Sequence, residues 1–170
     1  MRADAQRNLD RLLEAAAECF SEKGVDVSVA EIARRAGVGQ GTVFRRFPTK
    51  DALLAAVLTK EMLQLSNTAM TAYSEPDAGK AFDYFVRNVA ETYARNHALI
   101  EAMKRCEATP EVDALVDAVA RLLRRAQDAG AIRTDITATD VLALVPTAST
   151  YPEIVLDGLR PSAPARSTSD

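Results

Sequence analysis

Apolar residues recur at helical spacing along most of this chain of 170 residues. The first stripe consists of Leu9, Leu12, Leu13, Ala16 and Phe20, which share one face of a helix because their spacing follows its period of about 3.6 residues. No segment shows the strict alternation of apolar and polar residues that is typical of a half-buried strand. Since 48% of the residues are hydrophobic, a chain of this length can bury a core. The sequence therefore predicts an all-α fold.

Capping residues mark where several of these helices begin and end. Gly24 offers a left-handed stop after the first helix, Ser28 and Glu31 have the spacing of a capping box at the start of a second helix, and Gly37 closes that helix. A short third helix is expected over about residues 40–47, and Thr49 is expected to cap a long fourth helix. The first third of the chain is thus predicted to hold two short helices between two longer ones.

The charge distribution separates the first fifty residues from the rest. Residues 1–50 hold nine Lys and Arg against seven Asp and Glu, whereas residues 51–170 hold twelve against seventeen. From Ile32 to Lys50 there are five cations and no acid. The overall net charge of −3 excludes a protein that coats nucleic acid with a uniformly basic surface. A local basic segment is nevertheless present where the two short helices are predicted.

Two short helices joined by a glycine-containing turn form the helix-turn-helix arrangement of many DNA-binding proteins. Val38, Val43 and Phe47 are expected to face inward and to seat the second of these helices on the first. The polar side chains of that helix then project outward, where short side chains reach base edges and cations meet phosphates. A solvated charged face is the simpler interpretation of the cations alone, but the capped helix pair and its spacing favour DNA binding.

The chain has little material for metal binding or catalysis. Its two cysteines, Cys19 and Cys106, fit neither a disulfide framework nor a zinc pattern, and its single histidine, His97, leaves no metal cluster or Ser-His-Asp set. No apolar run approaches the ~20 residues of a membrane span, and the amino end lacks a signal-peptide core. We therefore expect a soluble protein of the cytoplasm with no cofactor, no metal, no membrane partner and no enzymatic activity.

Residues 10–58 resemble the DNA-binding domain of the tetracycline-repressor (TetR/AcrR) family. The similarity is densest over residues 29–54, whose sequence is VAEIARRAGVGQGTVFRRFPTKDALL. The resemblance implies a bacterial, homodimeric transcription factor, usually a repressor, that binds a pseudo-palindromic operator in double-stranded DNA. It also implies that an unknown small-molecule effector binds the carboxy-terminal helices and releases the DNA.

On this basis we predict a helix-turn-helix DNA-binding domain at residues 1–50 and a helical ligand-binding and dimerisation domain at residues 51–160. Residues 161–170 are rich in Ser, Pro and Ala, and we expect a disordered tail there. Family members usually close with two long helices that pair with those of a partner, but Pro146 and Pro152 are expected to cut this hairpin short. The homodimer interface is then either reduced or completed by residues outside this chain.

The resemblance also assigns DNA contacts to eight positions. They are Ser28, Gln40, Gly41, Thr42, Phe44, Arg45, Arg46 and Lys50. Positions 40–42 match the base-reading start of the recognition helix, and the two arginines match positions near base edges or the backbone. Ser28 and Lys50 match phosphate contacts. Phe44 stands where the family usually has a tyrosine that touches phosphate, so that hydrogen bond is absent here.

Apolar and aromatic residues of the second domain are candidates for an effector site between packed helices. These candidates are Met62, Met70, Tyr73, Phe82, Phe85, Tyr93, Ile100 and Met103. Aromatic residues at helical spacing are more often part of a hydrophobic core than of a binding site, and core packing is the competing interpretation for each of them. The chemical class of the effector does not follow from this pattern.

A second interpretation is a helical module that binds small molecules or proteins and has weakened or lost DNA binding. The phenylalanine at position 44 and the shortened carboxy-terminal hairpin favour it. Salt-dependent affinity for DNA separates the two interpretations. An enzyme would need a nucleophile–base pair or a metal cluster, and one histidine with scattered acids offers neither.

Overall fold

The computed structural model describes residues 2–95 and 109–161, and in these ranges the protein forms eight α-helices and no strand. The all-α prediction is confirmed. The helices are α1 (Arg2–Lys23), α2 (Val29–Ala36), α3 (Gln40–Arg46), α4 (Lys50–Ala72), α5 (Ala78–Arg95), α6 (Pro110–Asp128), α7 (Ala138–Ala148) and α8 (Pro152–Leu159). None of these eight helices combines the length and the apolar character that a membrane crossing requires. The predicted site residues Ile100 and Met103, and the predicted tail beyond Pro161, lie outside the described residues.

The described residues form two compact units. Among the described residues, the first unit comprises the chain up to Leu65 together with residues 92–95 and 109–113, and the second comprises residues 66–91 and 114–161. Helices α4, α5 and α6 each contribute residues to both units. The boundary that the sequence predicts at residue 50 separates a DNA-binding domain from a ligand-binding domain, whereas these two units are defined by compactness alone. The boundary at residue 50 therefore stays a prediction.

In the first unit, α1, α2, α3 and the amino-terminal part of α4 share one apolar core. Phe20 of α1, Ile32 of α2 and Val43 of α3 are fully buried in it. Val38 and Phe47 are partly buried against the same core, as expected for residues that face inward. Burying a side chain of this size stabilises the fold by roughly 1.5–3 kcal/mol, so the short α3 is held mainly by its packing against α1 and α2.

Two glycines make the sharp turns on either side of α2. Gly24 follows α1 with φ +75°, and Gly37 follows α2 with φ +68°, both in the left-handed region that other residues rarely adopt. The amide of Gly37 donates to the carbonyl of Arg34 at 3.2 Å, and the amide of Val38 donates to that of Ala33 at 3.0 Å. These bonds end α2 and direct the chain into α3.

In the second unit, apolar side chains of α5, α7 and α8 pack together without a polar partner between them. Phe82 and Phe85 of α5 and Leu156 of α8 are almost completely buried. The crevice between these three helices is lined by apolar residues alone and leaves no space for a water molecule. This region is therefore a packed core, which fits the core interpretation of the two phenylalanines.

Polar contacts fasten α8 to the rest of the second unit. The guanidinium of Arg87 on α5 donates two hydrogen bonds to the carboxylate of Glu153, at 2.5 and 2.9 Å. Arg160, which follows α8, lies 3.6 Å from the carboxylate of Asp83. The amide of Arg133 donates to the carbonyl of Leu159 at 2.9 Å and satisfies one of the free carbonyls at the end of α8.

The expectation that Pro146 ends its helix is wrong. Helix α7 starts at a complete capping box between Thr137 and Asp140 and continues through Pro146 to Ala148. The proline lies near the carboxy-terminal end, where its missing N–H removes a single helical hydrogen bond. Its carbonyl accepts a hydrogen bond of 2.7 Å from the hydroxyl of Ser149. The helical hairpin α7–α8 is thus interrupted over three residues, 149–151, and is longer than expected.

Candidate nucleic-acid interface

The start of α2 is capped as expected, although by only one half of the predicted box. The hydroxyl of Ser28 accepts a hydrogen bond from the amide of Glu31 at 3.2 Å. The carboxylate of Glu31 does not return to Ser28; it accepts a hydrogen bond from the ammonium group of Lys23 at the end of α1. That hydrogen bond holds the pKa of Glu31 below its ordinary value, against the opposing effect of desolvation. Glu31 therefore joins α2 to α1.

Helix α3 carries six of the eight predicted DNA contacts on its solvent-exposed surface. Gln40, Gly41, Thr42, Arg45 and Arg46 are all exposed, whereas the intervening valine at position 43 is buried. No side chain caps the amino-terminal end of α3, which begins after Gly39. The first turn of α3 thus leaves polar side chains and backbone N–H groups accessible to a partner.

Arg45 lies along α3 beside the residues expected to contact bases. Its Nε atom donates to the carbonyl of Gly41 at 3.2 Å, and its Nη2 atom approaches the hydroxyl of Thr42 at 3.4 Å. These weak contacts are made within one exposed helix. The guanidinium is therefore positioned next to the amino-terminal turn of α3 and remains available to a guanine edge or a phosphate.

The sixth residue of the predicted interface on this helix is Phe44, whose side chain is 41% exposed. The next element begins directly after it: Thr49 caps α4 by accepting a hydrogen bond from the amide of Ala52 at 3.1 Å. Lys50 is the first residue of α4 and is half-buried. The structure thus arranges a capped helix start and a cation close in sequence to the exposed face of α3, a combination that favours an anion.

Arg35 is a member of the basic run that the sequence suggested for DNA, but it has partners within the protein. Its guanidinium donates two hydrogen bonds of 2.7 Å to the carboxylate of Glu22, lies 3.4 Å from that of Glu18 and approaches the sulfur of Cys19 at 3.6 Å. The bidentate pair lowers the pKa of Glu22 and raises that of Arg35. Arg35 thus fastens α2 to α1, a contact between two helices that the spacing of residues within either helix does not indicate.

The remaining cations of this run are bound less closely than Arg35. Arg34 is 79% exposed and forms an ion pair of 3.9 Å with the carboxylate of Glu31. The side chains of Arg46 and Lys50 make no hydrogen bond and no ion pair with any residue that the structure describes. Together with Arg45, these two side chains give the segment from α3 to the start of α4 a positive charge that no described carboxylate neutralises.

The six predicted effector-site residues that the structure describes do not line one cavity. Met62 and Tyr93 are buried in the first unit, and Phe82 and Phe85 are buried in the core of the second. The two remaining described candidates, on α4 and immediately after it, are exposed and line a groove between α4 and α6. Their assignment to an effector site stays a prediction.

Comparisons with known proteins place similarity along both parts of the chain. Residues 12–57 match the family model described as bacterial regulatory proteins of the tetR family. Residues 77–161 match a second model, described as the carboxy-terminal domain of SbtR-like transcriptional regulators. The two matches together cover the helix-turn-helix segment and most of the helices that follow it.

Individual relatives are transcriptional regulators as well. The HTH-type transcriptional regulator UidR of Escherichia coli K12 is 31% identical over 150 residues, which span 80% of this chain and 74% of that protein. A TetR transcription regulatory protein from Mycobacterium vanbaalenii has a similar crystal structure, with a TM-score of 0.77 at 36% identity over 94% of this chain and 99% of that one. The regulator SCO0520 of Streptomyces coelicolor follows, with a TM-score of 0.67 at 32% identity over 91% and 99% of the two chains.

Proposed function

Because the chain belongs to the TetR family of bacterial regulatory proteins, we propose that it is a sequence-specific repressor that a small-molecule effector releases from its operator. Family membership makes the protein a DNA-binding transcriptional regulator and not an enzyme. The repressor activity, the release by an effector, the homodimer and a cytoplasmic location are our proposals. The observation that carries DNA recognition is the exposed, acid-free face of α3.

In this proposal some exposed side chains of α3 contact base edges and others contact phosphates. Gln40, Thr42 and Arg45 contact base edges, since they lie on the first turns of the helix that enters the major groove. Arg46 and Lys50 contact phosphates, which contributes affinity without sequence preference. Ser28 adds a phosphate contact at the start of α2, and the capping bond that its hydroxyl accepts fixes its position.

We further propose that two copies associate through the exposed face of the α7–α8 hairpin. No charged residue occurs from Val141 to Pro152, although part of this segment is exposed to solvent. Tyr151 and Ile154 continue the exposed apolar surface onto α8, and Ile154 is 70% exposed. A two-fold dimer of this kind presents two α3 helices, which match a pseudo-palindrome when they lie about 34 Å apart.

Release by an effector follows from a population shift. A ligand that binds better to a conformer unable to span both half-sites lowers the fraction of protein that is competent for DNA. Helix α4 begins at Lys50 in the first unit and ends at Ala72 in the second. A displacement of this helix is therefore our proposed route from the effector to the phosphate contact of Lys50.

The test begins with selection of random duplex DNA by the purified protein. The retained sequence is then placed between a promoter and a reporter gene in a bacterial host, with and without expression of the protein. We expect an inverted repeat and a loss of reporter signal on expression. Reporter activation by the bound protein contradicts the repressor role. If the folded protein retains no duplex at low salt, the proposal fails. The protein is then a helical module without DNA binding, the interpretation that the phenylalanine at position 44 favours.

A further inference from the structure

A groove lies between the carboxy-terminal part of α4 and the middle of α6, within the second unit. Its volume is about 250 Å³, and it is lined by Ala69, Met70, Tyr73, Ala118 and Arg121. Met70 is 60% exposed and Tyr73 is 50% exposed, so at least half of each of these two large side chains is open to solvent. The groove therefore offers an apolar floor with one cationic side chain at its edge.

Arg121 differs from the neighbouring arginine on the same helix. Arg125, one turn later, lies with its guanidinium 5.1 Å from the centre of the Tyr73 ring and donates to the carbonyls of Tyr73, Glu75 and Pro76 at 2.7, 2.5 and 2.8 Å. Three of its N–H donors are thus occupied by backbone carbonyls at the end of α4, and its guanidinium covers one face of the tyrosine ring. The side chain of Arg121 makes no hydrogen bond and no ion pair with any residue that the structure describes.

We propose that this groove is the effector site and that the effector is an organic carboxylate with an apolar body. The proposal rests on the proposed function, in which an effector releases the DNA. The guanidinium of Arg121 binds a carboxylate through two parallel hydrogen bonds, the geometry for which an arginine is suited. The side chains of Met70 and Tyr73 cover the apolar body, and the small Ala69 and Ala118 leave room for it.

The position of the groove gives the ligand a direct contact with the end of α4. Tyr73 follows Ala72, the last residue of α4, and its own carbonyl is held by Arg125. A molecule packed on the free face of the Tyr73 ring therefore contacts a residue whose backbone is already fixed. A ligand that binds better to this arrangement of the α4 end, with the carbonyl of Tyr73 bonded to Arg125, than to other arrangements shifts the population toward it.

The first arm of the test compares three probes that share one apolar body and differ in charge: phenylbutanoate, phenylbutanamide and phenylbutylamine. Binding to the full chain is followed through the methyl resonances of its methionines. We expect the carboxylate to shift the Met70 signal saturably, the amide to bind roughly tenfold more weakly and the amine not to bind. The signal of Met62, buried in the first unit, is expected to stay in place.

The second arm uses Arg121→Gln, with Arg124→Gln as the matched control, because Arg124 is an exposed arginine of the same helix that does not line the groove. We expect Arg121→Gln to weaken phenylbutanoate binding roughly tenfold and Arg124→Gln to leave it unchanged. The absence of a saturable Met70 shift at millimolar phenylbutanoate overturns the proposal. Equal affinity for the three probes, or unchanged affinity in Arg121→Gln, overturns it as well.

Measurement of DNA affinity in the same samples separates this proposal from the proposed function. If phenylbutanoate binds through Arg121 and lowers the affinity for the selected DNA, both are supported. If it binds through Arg121 and the DNA affinity does not change, the carboxylate site is supported and its role as the effector site is overturned. If the protein binds its operator but no carboxylate enters the groove, the inference fails while DNA recognition stands.

Discussion

Arg35 and Arg45 come from the same acid-free segment, yet their surroundings give them different roles. Arg35 is bound by the carboxylates of Glu18 and Glu22, while Arg45 contacts only the carbonyl and hydroxyl of its own exposed helix. A count of cations along the sequence therefore overestimates the number available to phosphates. The slope of affinity against salt reports the cations that actually meet the DNA, and Arg35 should not contribute to it.

Adding one hydroxyl group at position 44 tests whether this side chain lies next to a phosphate. The substitution Phe44→Tyr adds a hydroxyl to a side chain that is exposed on α3, at a position where the family resemblance implies a phosphate contact. One added hydrogen bond is worth about 0.5–1.5 kcal/mol, so affinity should rise by roughly two- to tenfold for operator and scrambled duplexes alike. Fluorescence anisotropy with both duplexes measures this gain, and Phe44→Leu serves as the control without a hydroxyl. A gain confined to the operator, or no gain, refutes the phosphate contact.

At the scale of elements, two charged contacts fasten α2 to α1 and so set the position of α3. The pair of Arg35 with Glu22 keeps the pKa of that carboxyl below its ordinary value of 4.5. A carboxyl with a lowered pKa stabilises the folded state above its unfolded pKa, and the contribution is lost as the pH falls through the folded value. The contact between Lys23 and Glu31 acts in the same direction.

The substitution Arg35→Gln should therefore lower the melting temperature at neutral pH by a few degrees. It should also reduce the loss of stability that the unmodified protein shows as the pH falls below about 4.5. Thermal melts followed by circular dichroism at neutral and acid pH measure both effects. Arg34→Gln is the matched control, because Arg34 is largely exposed. Equal melting temperatures for the two variants at neutral pH argue against a structural role for Arg35.

The elements themselves could largely be predicted from local signals. Ser28, Gly37 and Thr49 mark helix ends that the structure contains, because caps act over three or four residues of neighbouring sequence. Pro146 misled the prediction, since a proline close to the end of a helix removes only one bond and need not stop it.

The sequence predicts the parts of the site that lie on a single helix, but not the parts that depend on contacts between helices. The exposed face of α3 could be read from the motif, but the partners of Arg35 lie on another helix and depend on how α1 packs on α2. The exposure of Met70 was not predictable either, because it depends on which side of α4 is covered by α6. Contacts between elements distant in sequence leave no periodic signal in either one.

At the scale of the whole molecule, the proposed homodimer makes DNA affinity depend on a surface in the second unit. Ile154→Arg places a charge on the exposed, uncharged face of the α7–α8 hairpin and should not disturb folding, since the side chain is 70% exposed. We expect a monomer in sedimentation experiments and at least a tenfold loss of operator affinity. The loss follows because binding of one subunit to its half-site no longer holds a second subunit next to the other half-site. Tyr84→Arg, an exposed aromatic residue on α5, is the control that should leave the dimer intact. A dimeric Ile154→Arg protein places the interface elsewhere.

The central claim is that exposed side chains of α3 read the base sequence of the operator. Its most direct test is selection of random duplex DNA in parallel by the unmodified protein, by Arg45→Ala and by Lys50→Ala. We predict that Arg45→Ala loses the preference at one pair of symmetry-related positions of the inverted repeat, whereas Lys50→Ala enriches the same motif with lower affinity. If Arg45→Ala enriches an unchanged motif with undiminished preference at every position, Arg45 does not read a base and our assignment of the interface is wrong.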